Sequence, residues 1–172
     1  MSDRDLPIVV AMTGATGAIY GIRLLESLAA AEVETHLVMS EWAEKTIVAE
    51  TSWKPVDVRR LADHVHAEND LGAAPGDEDL PTRGMIVAPC SMKSLAAIAN
   101  GITENLIHRA AEVTVKERRR LLLLVRESPL SVIHLENLLR VAKAGAIVMP
   151  PMPAFYAKPR TLDDMVDHTV GR

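Results

Sequence analysis

The residues best suited to chemistry stand where an apolar run meets small, hydroxylated ones. Ile8-Val9-Val10-Ala11-Met12 flows into Thr13-Gly14-Ala15-Thr16-Gly17-Ala18, and a helical pattern follows through Tyr20, Leu24, Leu25 and Leu28. A buried strand that turns through small residues into a helix leaves backbone N–H groups at the positive end of the helix dipole, a seat for phosphate. The spacing is not that of a dinucleotide fingerprint, because Tyr20 takes the place of the third glycine and Gly21 comes one residue later. The second apolar run ends Val38-Met39-Ser40, not on the acidic residue that would hold an adenosine ribose. A hydroxyl there suits a phosphate oxygen. The turn therefore reads as a mononucleotide site, with FMN the candidate.

Other clusters could serve the same anion. Pro89-Cys90-Ser91 runs into Met92-Lys93-Ser94, a second helix start rich in hydroxyls, although ordinary N-capping by Ser91 explains it equally well. Cys90 has apolar neighbours and no histidine in sequence relation to it, so it is given no catalytic role. Arg126 and Glu127 close another apolar run. A charged pair there faces either solvent or a site in which Arg126 grips an anion and Glu127 transfers a proton. Arg109 and Lys116 fall on roughly one helix face and could supply further positive charge. The run from Lys116 to Arg120 otherwise reads as a solvated helix end. Glu50, late in a helix, carries no signal by itself. His36, His64, His66, His108, His134 and His168 are scattered, without metal-ligand spacing, so the chain is expected to be metal-independent.

Five strands are expected to position these residues: Ile8–Met12, Thr35–Met39, Met85–Ala88, Leu121–Val125 and Ala146–Met149. Each is a continuous apolar run, as strands buried on both faces of a parallel sheet require. Helical patterns lie between and after them, at Ala18–Ala30, Glu41–Ala49, Ser91–Ala99, Leu106–Val115, Ser131–Ala142 and Leu162–Val170. The class is α/β: a doubly wound, Rossmann or flavodoxin-like parallel sheet with helices on both faces. Residues 62–83, acidic and rich in Gly and Pro, read as a polar insertion loop, and 150–172 as a Pro-rich segment followed by a C-terminal helix.

With 172 residues the chain is expected to be one domain with its own core. A net charge of −4 argues against a nucleic-acid partner. No apolar stretch is long enough to span a membrane, and no secretory signal is expected at the start. The single cysteine suits a reducing cytoplasm.

In combination these segments resemble the UbiX flavin prenyltransferases, many of them long labelled aromatic acid decarboxylases. The resemblance rests on Ala11 to Gly21, Met39-Ser40, Pro89-Cys90-Ser91, Lys116 to Arg119, Arg126-Glu127-Ser128-Pro129, His134-Leu135-Glu136-Asn137 and Pro150 to Tyr156, in order over nearly the whole chain. It implies transfer of a dimethylallyl group from dimethylallyl phosphate to N5 and C6 of reduced FMN. The prenylated FMN would serve a UbiD-type decarboxylase, in ubiquinone biosynthesis or aromatic acid metabolism. It implies that Gly14, Ala15, Thr16, Ser40, Ser91, Met92, Lys93, Ser94 and Arg126 bind FMN, and that Tyr156 and Arg172 bind the prenyl donor. By the same resemblance Arg109 and Lys116 lie near the donor phosphate, and Glu50 and Glu127 carry the proton-transfer and ring-closure steps. A homododecamer with FMN sites near subunit interfaces is also implied.

Three positions depart from the family pattern. Thr16 replaces the usual serine and keeps the hydroxyl, Arg120 stands where proline is usual, and members usually continue beyond Arg172 with a tail that helps cover the pocket. The alternatives are a non-catalytic FMN-binding subunit and an FMN-dependent cysteine decarboxylase. The second would want an asparagine where Pro151-Met152-Pro153-Ala154 has none.

Overall fold

The computed structural model describes residues 6–172. Six parallel strands, β1 Ile8–Met12, β2 Thr35–Met39, β3 His64–His66, β4 Gly84–Cys90, β5 Arg120–Val125 and β6 Ile147–Val148, form one sheet in the order β3-β2-β1-β4-β5-β6. The chain winds outward from β1 through β2 to β3, then crosses to β4 and winds the other way. The switch point therefore falls between β1 and β4, and their carboxyl ends open a crevice.

Alternation along the strands divides the core between two faces. Val9 and Ala11 of β1 join Val87, Leu121 and Leu123 under the helices α4 Met92–Ala99 and α5 Leu106–Lys116, which contribute Leu95, Leu106 and Ile107. Val10 and Met12 point the other way, onto Ile22 and Leu25 of α1 Ala18–Ala30 and Ile47 of α2 Glu41–Glu50. Each such side chain, fully withdrawn from water, contributes about 1.5–3 kcal/mol before conformational entropy is charged against it. The core is aliphatic, as the scarcity of aromatic residues requires.

The sixth strand corrects the reading of residues 62–83 as a loop. His64, Val65 and His66 pair in parallel with His36, Leu37 and Val38. Three residues at a half-exposed edge need no apolar run, so the hydropathy pattern that reveals the buried strands is missing here. The segment also holds a 3-10 turn, Ala74–Gly76. A short helix α3, Pro55–Arg59, precedes β3 with proline at its start. The other boundaries move by small steps: β4 extends from Gly84 to Cys90, β6 shrinks to Ile147–Val148, and α4 starts at Met92 because Ser91 is its cap.

Two helices complete the chain, α6 Val132–Lys143 and α7 Leu162–Gly171, with a 3-10 turn at Phe155–Ala157 before α7. Thr161 caps α7 in a reciprocal box with Asp164. Arg23 of α1 holds α7 through Asp163 at 3.4 Å and Asp167 at 3.3 Å. These contacts bring the C-terminal segment back beside the switch point. No helix among the described residues is long and apolar enough to cross a membrane.

Candidate active site

Thr13 ties the crevice together. It is almost wholly buried, its hydroxyl donates to the Pro89 carbonyl at 2.8 Å, and the same oxygen accepts the Ser91 N–H at 2.8 Å. Backbone bonds continue the lacing: Thr13 N–H donates to Pro89 O, Ser40 N–H to Met12 O, and Arg126 N–H to Cys90 O. Gly14, Ala15, Thr16, Ser40, Ser91 to Ser94 and Arg126 are thus gathered along one sheet edge, although the sequence spreads them over more than a hundred positions. Gly14 is required by packing, since a Cβ there would stand 2.4 Å from Trp42 Cβ at the start of α2.

Four helices, α1, α2, α4 and α6, follow strands at this edge, and their N-termini are not equivalent. Glu50 places Oε2 on the Gly17 and Ala18 N–H groups, at 2.8 and 3.2 Å. The α1 start, expected from the sequence to be free for phosphate, already holds a carboxylate of its own chain. The reason is the length of α2, whose last residue returns to the turn where α1 begins. Glu68 does the same for α2 by accepting the Glu41 N–H at 3.0 Å. At α4 the Ser94 N–H is taken by Ser91 Oγ, while the Met92 and Lys93 N–H groups have no partner among the described residues. This N-terminus offers two free N–H groups to an anion at the switch point. Ser40 Oγ accepts from Ala43 N–H, which leaves its own proton free to donate toward the crevice.

Beside the crevice the C-terminal segment builds an apolar-walled hollow. Tyr20, Leu24, Ala88, Leu124, Met149 and Arg172 surround a cavity of about 140 Å³. Met149, Thr169 and Arg172 also border a wider one of about 370 Å³ that reaches Tyr156 and His168. Tyr156 stands edge-on to His168, its hydroxyl 3.4 Å from Nε2. Burial pushes the Tyr20 phenol up, against the Thr169 hydroxyl and the nearby Arg126 guanidinium, which pull it down. Tyr20 therefore stays protonated, a hydrogen-bond donor between crevice and hollow. Sequence reasoning gave no site role to Tyr20, Thr13, His168 or Thr169. A hydroxyl ending an otherwise apolar strand was the available signal for Thr13.

Two expected site residues lie elsewhere. Arg109 donates through Nε to the Gly76 carbonyl at 3.0 Å, and Lys116 pairs with Glu78 at 2.7 Å. That hydrogen bond to Glu78 chiefly raises the Lys116 pKa. Both cations fasten the 62–83 segment to α5, so within one subunit neither reaches the hollow of Tyr156 and Arg172. Lys93 turns outward toward Glu104 at 3.6 Å, which leaves its backbone as the part facing the crevice. Glu127 is exposed and accepts the Ser128 N–H at 2.9 Å. Cys90 is fully buried, and burial pushes its thiol up to about 12, so it is no nucleophile near neutral pH.

The donor set fits FMN. Hydroxyls at Thr16, Ser40 and Ser91, the open α4 start and the Arg126 guanidinium match a phosphate and the polar edge of a flavin. The small residues of the β1 turn leave room for a flat ring.

A doubly wound sheet with a mononucleotide crevice at its switch point defines a flavoprotein, and the chain matches the Flavoprotein family over residues 1–172. It is 56% identical over 165 residues to a probable UbiX-like flavin prenyltransferase of Bacillus subtilis, covering 96% of this chain and 81% of that protein. The chain belongs to the UbiX-like flavin prenyltransferases. The crystal structure of AnUbiX (PadA1) in complex with FMN and dimethylallyl pyrophosphate superposes with a TM-score of 0.97 at 56% identity, covering 98% of this chain and 90% of that one. A dodecameric FMN-dependent UbiX-like decarboxylase from Escherichia coli O157:H7 gives 0.94 at 51% identity, covering 96% and 91%. The FMN-dependent cysteine decarboxylase TvaF shares the fold alone, at 15% identity and a TM-score of 0.68.

Proposed function

We propose that this protein transfers a dimethylallyl group from dimethylallyl phosphate to N5 and C6 of reduced FMN, and that the product passes to a UbiD-type decarboxylase. The observation that carries the reading is the adjacency of two sites: a hydroxyl-lined crevice with the open α4 N-terminus, and an apolar hollow edged by Tyr156, His168 and Arg172. The first suits a mononucleotide, the second a small prenyl phosphate.

Reduced FMN supplies the nucleophilic positions. The chain's own residues supply the rest. The Met92 and Lys93 N–H groups, with the hydroxyls of Thr16, Ser40, Ser91 and Ser94, hold the FMN phosphate, and Gly14 and Ala15 let the cofactor approach the backbone. Arg126, just past the end of β5, supplies a guanidinium to the flavin. Tyr156 and Arg172 grip the donor phosphate and draw charge onto it as the allylic bond breaks. The apolar walls exclude water that would capture a developing allyl cation, and aromatic faces tolerate its charge. Glu50 and Glu127 manage the proton released on ring closure. Arg109 and Lys116 add positive charge at the donor phosphate from a neighbouring subunit of a homododecamer. The same reading places the protein in the cytoplasm, on a route such as ubiquinone biosynthesis, and calls for no metal in the reaction.

The test is anaerobic incubation with reduced FMN and dimethylallyl phosphate, followed by mass spectrometry of the released flavin. A flavin heavier by one five-carbon unit is expected. Bound but unmodified flavin would make the chain a carrier and end the transferase reading.

A further inference from the structure

Strand pairing brings together a set of ligands that their spacing in the sequence conceals. His36 lies opposite His64 in the β2–β3 ladder, and Glu34 stands just before β2. His64 Nε2 is 2.9 Å from Glu34 Oε1, and His36 Nε2 is 4.0 Å from the same oxygen. One ligand atom from each of the three residues lies within 4.8 Å of the others. We infer that Glu34, His36 and His64 form a binding site for a divalent transition metal of the Zn2+ type, separate from the catalytic pocket.

The surroundings of His36 carry this beyond mere proximity. His36 is 6% exposed, and its Nδ1 lies 2.9 Å from Nε2 of His66, whose ring is nearly parallel to it at a centroid distance of 5.1 Å. In the tautomer whose Nδ1–H donates to His66, His36 presents a bare Nε2 lone pair toward Glu34 and His64. A metal-bound histidine is ordinarily held in this way, its second nitrogen fixed by an outer partner that sets tautomer and ring direction.

Tetrahedral Zn2+ with ligands at about 2.0–2.2 Å wants ligand atoms roughly 3.4 Å apart. The two distances to Glu34, 2.9 and 4.0 Å, straddle that value and the third separation lies within 4.8 Å, so closure needs shifts of about half an ångström to about 1.4 Å, mostly in the exposed Glu34 and His64 side chains. His64 Nε2 now donates to Glu34, and on binding that proton leaves for solvent or the ring changes tautomer. Two neutral imidazoles and one carboxylate leave the fourth position to water. The site sits near the amino ends of β2 and β3, away from the carboxyl edge that bears the crevice. Its effect is to pin β3, a strand of three residues at the sheet edge.

Untagged full-length protein, stripped with a chelator, would be titrated with Zn2+ by calorimetry, with metal counted after gel filtration. Visible absorption of the Co2+ form would report coordination. One Zn2+ per chain is expected at micromolar or tighter affinity, with intense tetrahedral Co2+ bands and a Tm higher by several degrees at saturating metal. His64→Ala and Glu34→Gln alter exposed side chains and leave the core intact. Each should weaken binding at least 100-fold, and His66→Ala about 10- to 100-fold through the loss of its hold on His36. Less than one Zn2+ per chain in the unaltered protein would overturn the site, as would undiminished binding in His64→Ala.

Discussion

Glu50 puts one carboxylate oxygen on the Gly17 and Ala18 N–H groups, and this determines which substitution isolates its chemistry. Glutamine keeps an acceptor of the same length and removes the charge. Glu50→Gln should therefore retain the fold and bind FMN nearly as before, while prenyl transfer falls about 100-fold or more. Single-turnover kinetics set beside an FMN titration will separate the two effects, and unchanged turnover would remove Glu50 from the reaction. Glu50→Ala adds a structural loss of about 1 kcal/mol, because the α1 start loses its cap. Thr13 permits a cleaner structural prediction. Thr13→Val leaves the Ser91 N–H without its partner and the Pro89 carbonyl with only the backbone N–H of residue 13, at a cost of about 1–3 kcal/mol, and loosens the edge that holds FMN. Denaturant unfolding and FMN affinity should both decline, and Thr13→Ser should restore most of each. Residue types foretold the hydroxyls of the crevice well. They could not foretell that Glu50 and Glu68 would cap α1 and α2, because those bonds join residues far apart in the chain.

At the scale of elements, α1 lies close against the sheet because of Gly21. A Cβ at that position would stand 2.3 Å from the Ala88 carbonyl oxygen and 2.8 Å from Met12 Cε. Met12 could swing aside, but the β4 backbone could not. Gly21→Ala must push α1 outward, and with it Tyr20 and the α7 contacts of Arg23. We expect a loss of about 1–3 kcal/mol, with FMN binding and prenyl transfer falling together. Thermal unfolding at saturating FMN will measure this, and an alanine variant of undiminished stability would refute the tight packing. The strands with a continuous apolar run, β1, β2, β4, β5 and β6, were legible because their hydropathy stands out from the polar segments around them. β3 was not, since its place is set by pairing with β2 and its polar side chains sit at an edge. The 62–83 segment is likewise held by distant donors, Arg109 and Arg119, whose targets are backbone carbonyls that carry no sequence signature.

The whole molecule exposes more apolar surface than a solitary subunit ordinarily tolerates. Val132, Ile133, Leu135 and Leu139 of α6 are 51–69% exposed, and Met152, Phe155, Tyr156 and Leu162 project from the C-terminal segment. Assembly would cover these faces, in keeping with the dodecamer formed by the Escherichia coli relative. Lys116 and Arg109 give assembly a functional meaning. In one subunit they fasten the 62–83 segment and lie away from Tyr156 and Arg172, so a role at the donor phosphate requires the pocket of another subunit. Subunit mixing decides this. Glu50→Gln and Lys116→Ala are each expected to be inactive as homo-oligomers. When the two are unfolded together and reassembled, some pockets will combine an intact Glu50 with an intact Lys116 from a neighbour. About a quarter of sites should then recover in an equal, random mixture. Were both residues to act within one subunit, no pocket in the mixture would hold both, and activity would stay at the level of the separate variants. Recovery near a quarter would make the interface part of the active site. It would also mean that α6 variants such as Ile133→Glu, if they split the assembly, abolish turnover without altering any residue that touches flavin.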